Sequence, residues 1–156
     1  MIKLVCVGKL KEKALDSLEK EYVKRLSSFF TLRIHEVKDE PERRQSGGDT
    51  ERIMEVEGER VLSLIKPDDF VVLLDLHGKM IDSLQFARLN HQWLQQAKDV
   101  VFVIAGSYGP SPALKSRANY AWKLSDLTFP HTLCRILVLE QIYRGFMIES
   151  NRTYHK

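Results

Sequence analysis

Val100-Val-Phe-Val-Ile-Ala-Gly-Ser-Tyr-Gly-Pro110 is an apolar strand that runs straight into a glycine-bounded turn. A strand that stops at glycine leaves its last peptide groups uncovered by any Cβ, so a ligand can approach the backbone closely at the C-terminal end of a sheet. Small molecules bind α/β proteins at that end.

Outward from this stretch, strand and helix signals alternate along the whole chain. Ile2 to Val7 and Leu32 to Val37 read as strands, and Lys11 to Phe30 as an amphipathic helix through Leu15, Leu18, Tyr22, Leu26 and Phe29. Lys38 to Asp49, with Pro41, Arg43, Arg44 and Gly47-Gly48, reads as a mobile loop. A helix follows from Thr50 to Ile65. Phe70 to Leu74 is a third strand that ends in the turn signal Asp75-Leu-His-Gly-Lys79, before a helix capped by Asp82 or Ser83 that buries Phe86, Trp93 and Leu94. After Val100 to Ala105, Ser111-Pro112 opens a short helix, Ala121 to Leu124 is a fifth strand, and Leu133 to Ile148 is the closing helix. The order predicts an α/β fold, with a mostly parallel sheet and helices on both faces, in a single domain over residues 1–156.

Composition bounds the function. Charged residues at 29% and hydrophobic ones at 44% describe a chain that folds rather than a disordered one. Apolar runs fall far short of the roughly 20 residues a membrane span needs, and Met1 to Leu10 lacks a signal peptide's long apolar region, so a cytoplasmic protein with no membrane partner is expected. The net charge of +3 permits an RNA partner without requiring one. Cys6 and Cys134 sit in apolar segments and read as buried small hydrophobes. No two of His35, His77, His91, His131 and His155 fall at ligand spacing on one element, so no metal site is expected. Dinucleotide, phosphate-loop, hydrolase-elbow and zinc-protease motifs are all missing.

What the chain does carry is an ordered set. Lys3-Leu-x-x-Val-Gly8-Lys, Glu57-Gly58, Leu74-Asp75-Leu76-x-Gly78-Lys79, Ala105-Gly106-x-x-Gly109 and Leu124-Ser-x-Leu-Thr-Phe-Pro-His131 come first. Arg135, Glu140-Gln-x-Tyr-Arg144 and Tyr154-His155-Lys156 complete it. In this order and spacing the set resembles the ribosomal RNA large subunit methyltransferase H family, of the knotted SPOUT class. The resemblance implies a C-terminal trefoil knot and a homodimer paired through the knot regions. It also implies S-adenosylmethionine as methyl donor and methylation at N3 of a pseudouridine in large-subunit rRNA on the assembled ribosome. Carried over, it places the donor against Leu74, Ala105, Gly106 and the run Leu124, Ser125, Asp126, Leu127, Thr128 and Phe129. Arg144, Tyr154 and His155 then stand at the reacting base. One departure is Ala105, where the family shows glycine; alanine is tolerated there if its φ is negative.

Each residue also has a plainer reading. Gly106 and Gly109 can serve only to make a turn, and Pro130-His131 only to start a helix. Tyr108 is bulky enough to close over a ligand. Arg135 and Arg144 read by default as solvated charges, and a terminal segment as disordered. An aromatic and an imidazole at the tail suit base stacking and proton transfer, with His155 as a base for the N3 proton. A noncatalytic RNA-binding or ribosome-associated factor of the same fold, or a SPOUT enzyme for another RNA, are the alternatives.

Overall fold

The computed structural model describes residues 1–43 and 48–156. Strands and helices alternate as β1 (Ile2–Val7), α1 (Lys13–Leu26), β2 (Leu32–Val37), α2 (Thr50–Leu62), β3 (Phe70–Met80), α3 (Ser83–Gln96), β4 (Val100–Ile104), α4 (Pro112–Arg117), β5 (Tyr120–Lys123) and α5 (His131–Glu149). The sheet runs β2-β1-β4-β3-β5 with every pair parallel. An all-parallel sheet needs both faces covered. The inner strands are apolar at consecutive positions for that reason, as in Val100–Ile104, whereas the edge strand β2 carries Arg33, His35 and Glu36.

Alternation along each strand divides the core in two. Ile2, Leu4, Cys6, Val72, Val100, Phe102 and Ile104 pack with Leu26 of α1, Phe86 and Trp93 of α3, and Val138, Leu139 and Ile142 of α5. Val5, Val7, Val71, Leu73, Val101 and Val103 pack on the other face with Val61 of α2 and Leu114 of α4. Burial of one such side chain contributes roughly 1.5–3 kcal/mol. The edge strand β5 is fixed to the first face by Trp122, which stacks on Phe86 with centroids 4.4 Å apart.

Local signals hold at most boundaries. Asp82 caps α3 in a full capping box with Gln85, and Ser111 caps α4 by accepting from the Leu114 N–H, with Pro112 at the first helical position. Helices α1 and α2 stop short of the expected Phe30 and Ile65, because the chain turns at Ser27 and Ser63, whose hydroxyls bond back to the Lys24 and Arg60 carbonyls. Helix α5 begins earlier than expected, at His131. Within the Lys38–Asp49 loop, Arg44 to Gly47 lie outside the described residues. The stretch before them is tied down: the Glu40 N–H donates to Glu57, Arg60 pairs with the Glu40 carboxylate, and the Arg43 N–H donates to Asp49.

The clearest departure is β3, which does not end at Leu74. Leu74 and Lys79 both stand opposite Trp122, so residues 75–78 leave the ladder and the strand then pairs again. The turn signal is expressed as this excursion, with the His77 N–H donating to the Asp75 side chain. A Cβ on Gly78 would lie 2.6 Å from the backbone of Ala121, so only glycine lets the excursion lie against β5.

Candidate functional site

Parallel pairing brings the C-terminal ends of the strands to one end of the sheet; two of the three loops singled out in the sequence follow β4 and β5 there, whereas Leu74, expected to precede a loop, lies within β3. After β4, the Gly109 N–H donates to the Gly106 carbonyl at 3.0 Å, and Gly109 has φ +88°, which closes the turn. Ala105 is not among the residues with positive φ, so its methyl group carries no left-handed strain. Gly106 needs its missing side chain for a reason the sequence did not suggest. A Cβ there would stand 2.7 Å from Oε1 of Glu57, a carboxylate only 5% exposed on α2. Burial raises the Glu57 pKa, its Oε2 accepts from the Glu40 N–H, and its Oε1 has no partner among the described residues. Tyr108 reaches away from the turn and donates to Glu42.

A cleft of about 600 Å³ opens between the start of α3, the β5–α5 loop and α5. Leu124, Ser125, Phe129 and His155 line it, together with Trp122, Phe86, Leu137, Gln141 and residues 81–84. Its size is that of a small-molecule site, and its walls are mostly apolar. Of the other expected donor residues, Leu74 packs against the core from within β3, and neither it nor Ala105, Gly106, Asp126, Leu127 or Thr128 lines the cleft. Leu127 stands 70% exposed at the loop tip, and the Ser125 hydroxyl accepts from the Leu127 N–H to hold the loop's shape.

The tail is ordered, against the usual expectation for a terminus. Helix α5 ends in a left-handed residue, Asn151 at φ 56°, with the Asn151 N–H donating to Ile148 O and the Arg152 N–H to Met147 O. This paired closure turns the chain back along the helix. The Tyr154 hydroxyl then donates to Oε2 of Glu140 at 2.6 Å, its ring stands edge-on to Tyr143, and the Arg144 guanidinium lies 4.7 Å over it. Nε of Arg144 donates to Oε1 of Glu140 at 2.7 Å, and its Nη1 meets Nδ1 of His155 at 3.1 Å. Burial, followed by the Glu140 hydrogen bond and charge, pushes the Tyr154 phenol up to about 12. Tyr154 is therefore a donor at neutral pH.

Arg135 is not a solvated charge. It is 3% exposed, holds Glu19 of α1 through Nε and Nη2 at 2.7 and 3.0 Å, and holds Glu36 of β2 through Nη1 at 2.8 Å. Arg144 is also paired rather than free, through the bonds above. Sequence reasoning gave Glu140 no role, although its spacing four residues before Arg144 is an ion-pair signal on a helix. Among the described residues no group of three His, Cys, Asp or Glu side chains is placed to hold a metal ion, and no helix is long and apolar enough to cross a membrane.

A family described as predicted SPOUT methyltransferase matches residues 1–155. A protein of Desulfitobacterium hafniense (strain DSM 10664 / DCB-2) named ribosomal RNA large subunit methyltransferase H is 45% identical over 99% of this chain and 98% of its own. Proteins of the same name from Caldicellulosiruptor saccharolyticus and Streptococcus thermophilus (strain CNRZ 1066) are each 42% identical, over 100% of both chains and 99% of both chains respectively. With one family matched almost end to end and relatives this similar over their full length, the chain belongs to the SPOUT methyltransferases.

Proposed function

We propose that this protein transfers a methyl group from S-adenosylmethionine to N3 of a pseudouridine in large-subunit rRNA, acting on the assembled ribosome in the cytoplasm as a homodimer. Methyl transfer to large-subunit rRNA is supported by the relatives' shared name at 42–45% identity. The base, the ring position and the assembled substrate are inferred from the family resemblance. The observation that carries the reading is the cluster of Arg144, Tyr154 and His155 around Glu140, with His155 on the wall of the apolar cleft.

The residues present fit such a donor. Leu124, Ser125 and Phe129 line an apolar cleft of suitable volume; Ala105, Gly106, Asp126, Leu127 and Thr128 belong to the stretches that follow β4 and β5, and Leu74 stands in β3 opposite Trp122. The donor supplies the methyl group as an electrophile on a sulfonium; the protein's part is to bind, orient and exclude water. Tyr154 and Arg144 offer a ring and a guanidinium for stacking against a base and for a phosphate or carbonyl oxygen. A C-terminal trefoil knot is inferred from family membership. The homodimer is supported by Leu76, Met80, Leu84 and Leu127, which stand exposed on β3, α3 and the β5–α5 loop, Leu84 on the wall of the cleft.

Calorimetry with S-adenosylmethionine, paired with mass spectrometry of rRNA from large subunits incubated with protein and donor, tests this. Micromolar binding and a new methyl group on a pseudouridine are expected. Binding to ribosomes with no donor affinity would instead identify a noncatalytic ribosome-associated factor, and a methyl group on another nucleotide would move the substrate.

A further inference from the structure

Arg144 determines which nitrogen of His155 carries the proton. A guanidinium is protonated throughout the working pH range and has no acceptor, so at 3.1 Å its Nη1–H donates to Nδ1 of His155. Nδ1 is then an acceptor, and the neutral ring must hold its proton on Nε2. A second proton on Nδ1 would set one N–H against another. Arg144 is itself anchored by Glu140 at 2.7 Å and by the face of Tyr154. The Nε2 edge has no hydrogen-bond partner among the described residues, and the ring lines the cleft beside Leu124, Ser125 and Phe129.

We propose that His155 acts through Nε2–H as a hydrogen-bond donor to a carbonyl oxygen of the pyrimidine being methylated, and not as the base that removes the N3 proton. The proposal rests on the methyl-transfer reading above. In the step, N3 gives its proton to solvent water and keeps the bonding pair, so negative charge spreads over N3 and its flanking carbonyl oxygens. A donor aimed at one of those oxygens stabilises the charge as it develops. N3 then bonds the methyl carbon as the carbon–sulfur bond breaks with its pair to sulfur, leaving a neutral ring and a neutral thioether. The charged and titratable groups around His155 are Arg144 and Glu140 on α5, Tyr22 on α1, Tyr154 beside it, and Asp82 at the start of α3, on the cleft wall. Glu140 is occupied: its two oxygens accept from Arg144, Tyr154 and Tyr22.

Two measurements on the full chain test the assignment. In a two-bond nitrogen–proton spectrum of ¹⁵N-labelled protein, the His155 signals, assigned by their loss in His155→Gln, should show the Nε2–H tautomer, and Arg144→Ala should mix the tautomers. A predominant Nδ1–H form in the wild type would overturn the proposal whether or not the protein methylates RNA. In single-turnover transfer to large ribosomal subunits at saturating S-adenosylmethionine, His155→Gln should stay within about tenfold of wild type. Its amide N–H replaces the donor and cannot act as a base, whereas His155→Ala should lose about a hundredfold. The wild-type rate should climb with pH through the neutral range without levelling. Equal losses in both variants, with levelling in that range, would overturn the donor role and restore the base. Wild-type protein that transfers no methyl group to any RNA would overturn the donor role through the reading it rests on, and the tautomer would still be read from the spectrum.

Discussion

Helix α5 carries two arginine clusters built from the same parts and used in opposite ways. Around Arg135, two glutamates from α1 and β2 take three of the guanidinium N–H groups, with Arg135 and Glu19 buried and Glu36 at the solvent edge. Around Arg144, one glutamate is shared among an arginine and two tyrosines, and the outer Nη1–H is spent on an imidazole whose other edge is open. A cluster whose arginine is buried and held by carboxylates from two other elements ties those elements together. A cluster with one unspent edge on a cleft can also meet a ligand.

The comparison breaks most visibly if Arg135→Ala leaves the fold intact. Removing Arg135 strands the buried Glu19 carboxylate, and losing one partner of a buried ion pair costs about 3–5 kcal/mol. For a chain of this size a thermal melt should fall by about 10 °C or more. Arg144→Ala, by contrast, should shift the melt by only a few degrees, since its side chain is 25% exposed and solvent can reach the groups it leaves. Deleting the chain from Thr153 onward should lower methyl transfer by about a hundredfold or more while donor affinity, read by calorimetry, stays nearly intact. A truncated protein that works at the wild-type rate would show that the tail cluster is ornamental.

Glu140→Gln sharpens the contrast at the level of one charge. It keeps the shape and removes the carboxylate that Arg144 and Tyr154 share, and a loss of about tenfold in transfer is expected with little change in the melt. The same cluster gives a pH signature. Tyr154 titrates near 12 in the folded protein against about 10 unfolded, so its contribution to stability is complete below pH 10 and is lost as pH rises through 12. Denaturant titrations of wild type and Tyr154→Phe should therefore converge in that window. The smallest effect belongs to Ala105→Gly. With no positive φ to relieve, restoring the residue the family shows should change donor affinity by no more than about twofold.

The fold was legible wherever its cause was local. Consecutive apolar residues marked the buried strands, and Asp82, Ser111 and Pro112 announced the helix starts that formed. Features made by distant pairs were not legible. Arg135 reads as a surface charge because Glu19 and Glu36 lie 116 and 99 positions away in the chain. Gly106 reads as an invitation to a ligand because nothing local predicts the Glu57 carboxylate beneath it. Asp75-Leu-His-Gly-Lys79 carries the same turn signal whether the chain leaves the sheet or rejoins it; only the backbone of Ala121 against Gly78 decides. The proposed tail residues were found by resemblance and by the chemistry of an aromatic and an imidazole, while the cue that orders them, an asparagine able to take a left-handed conformation after a long helix, stood in plain sight at Asn151.

The strand order also sets a timetable for folding. Strand β1 is made first, yet one of its two neighbours is β4, with Ile2 standing opposite Val100, so that side of it stays unpaired until most of the chain exists. Non-local parallel pairing of this kind is slow, and an apolar strand waiting for its partner is open to the wrong one. Refolding of this protein should therefore take longer than its modest size suggests, and should lose yield to aggregation as concentration rises.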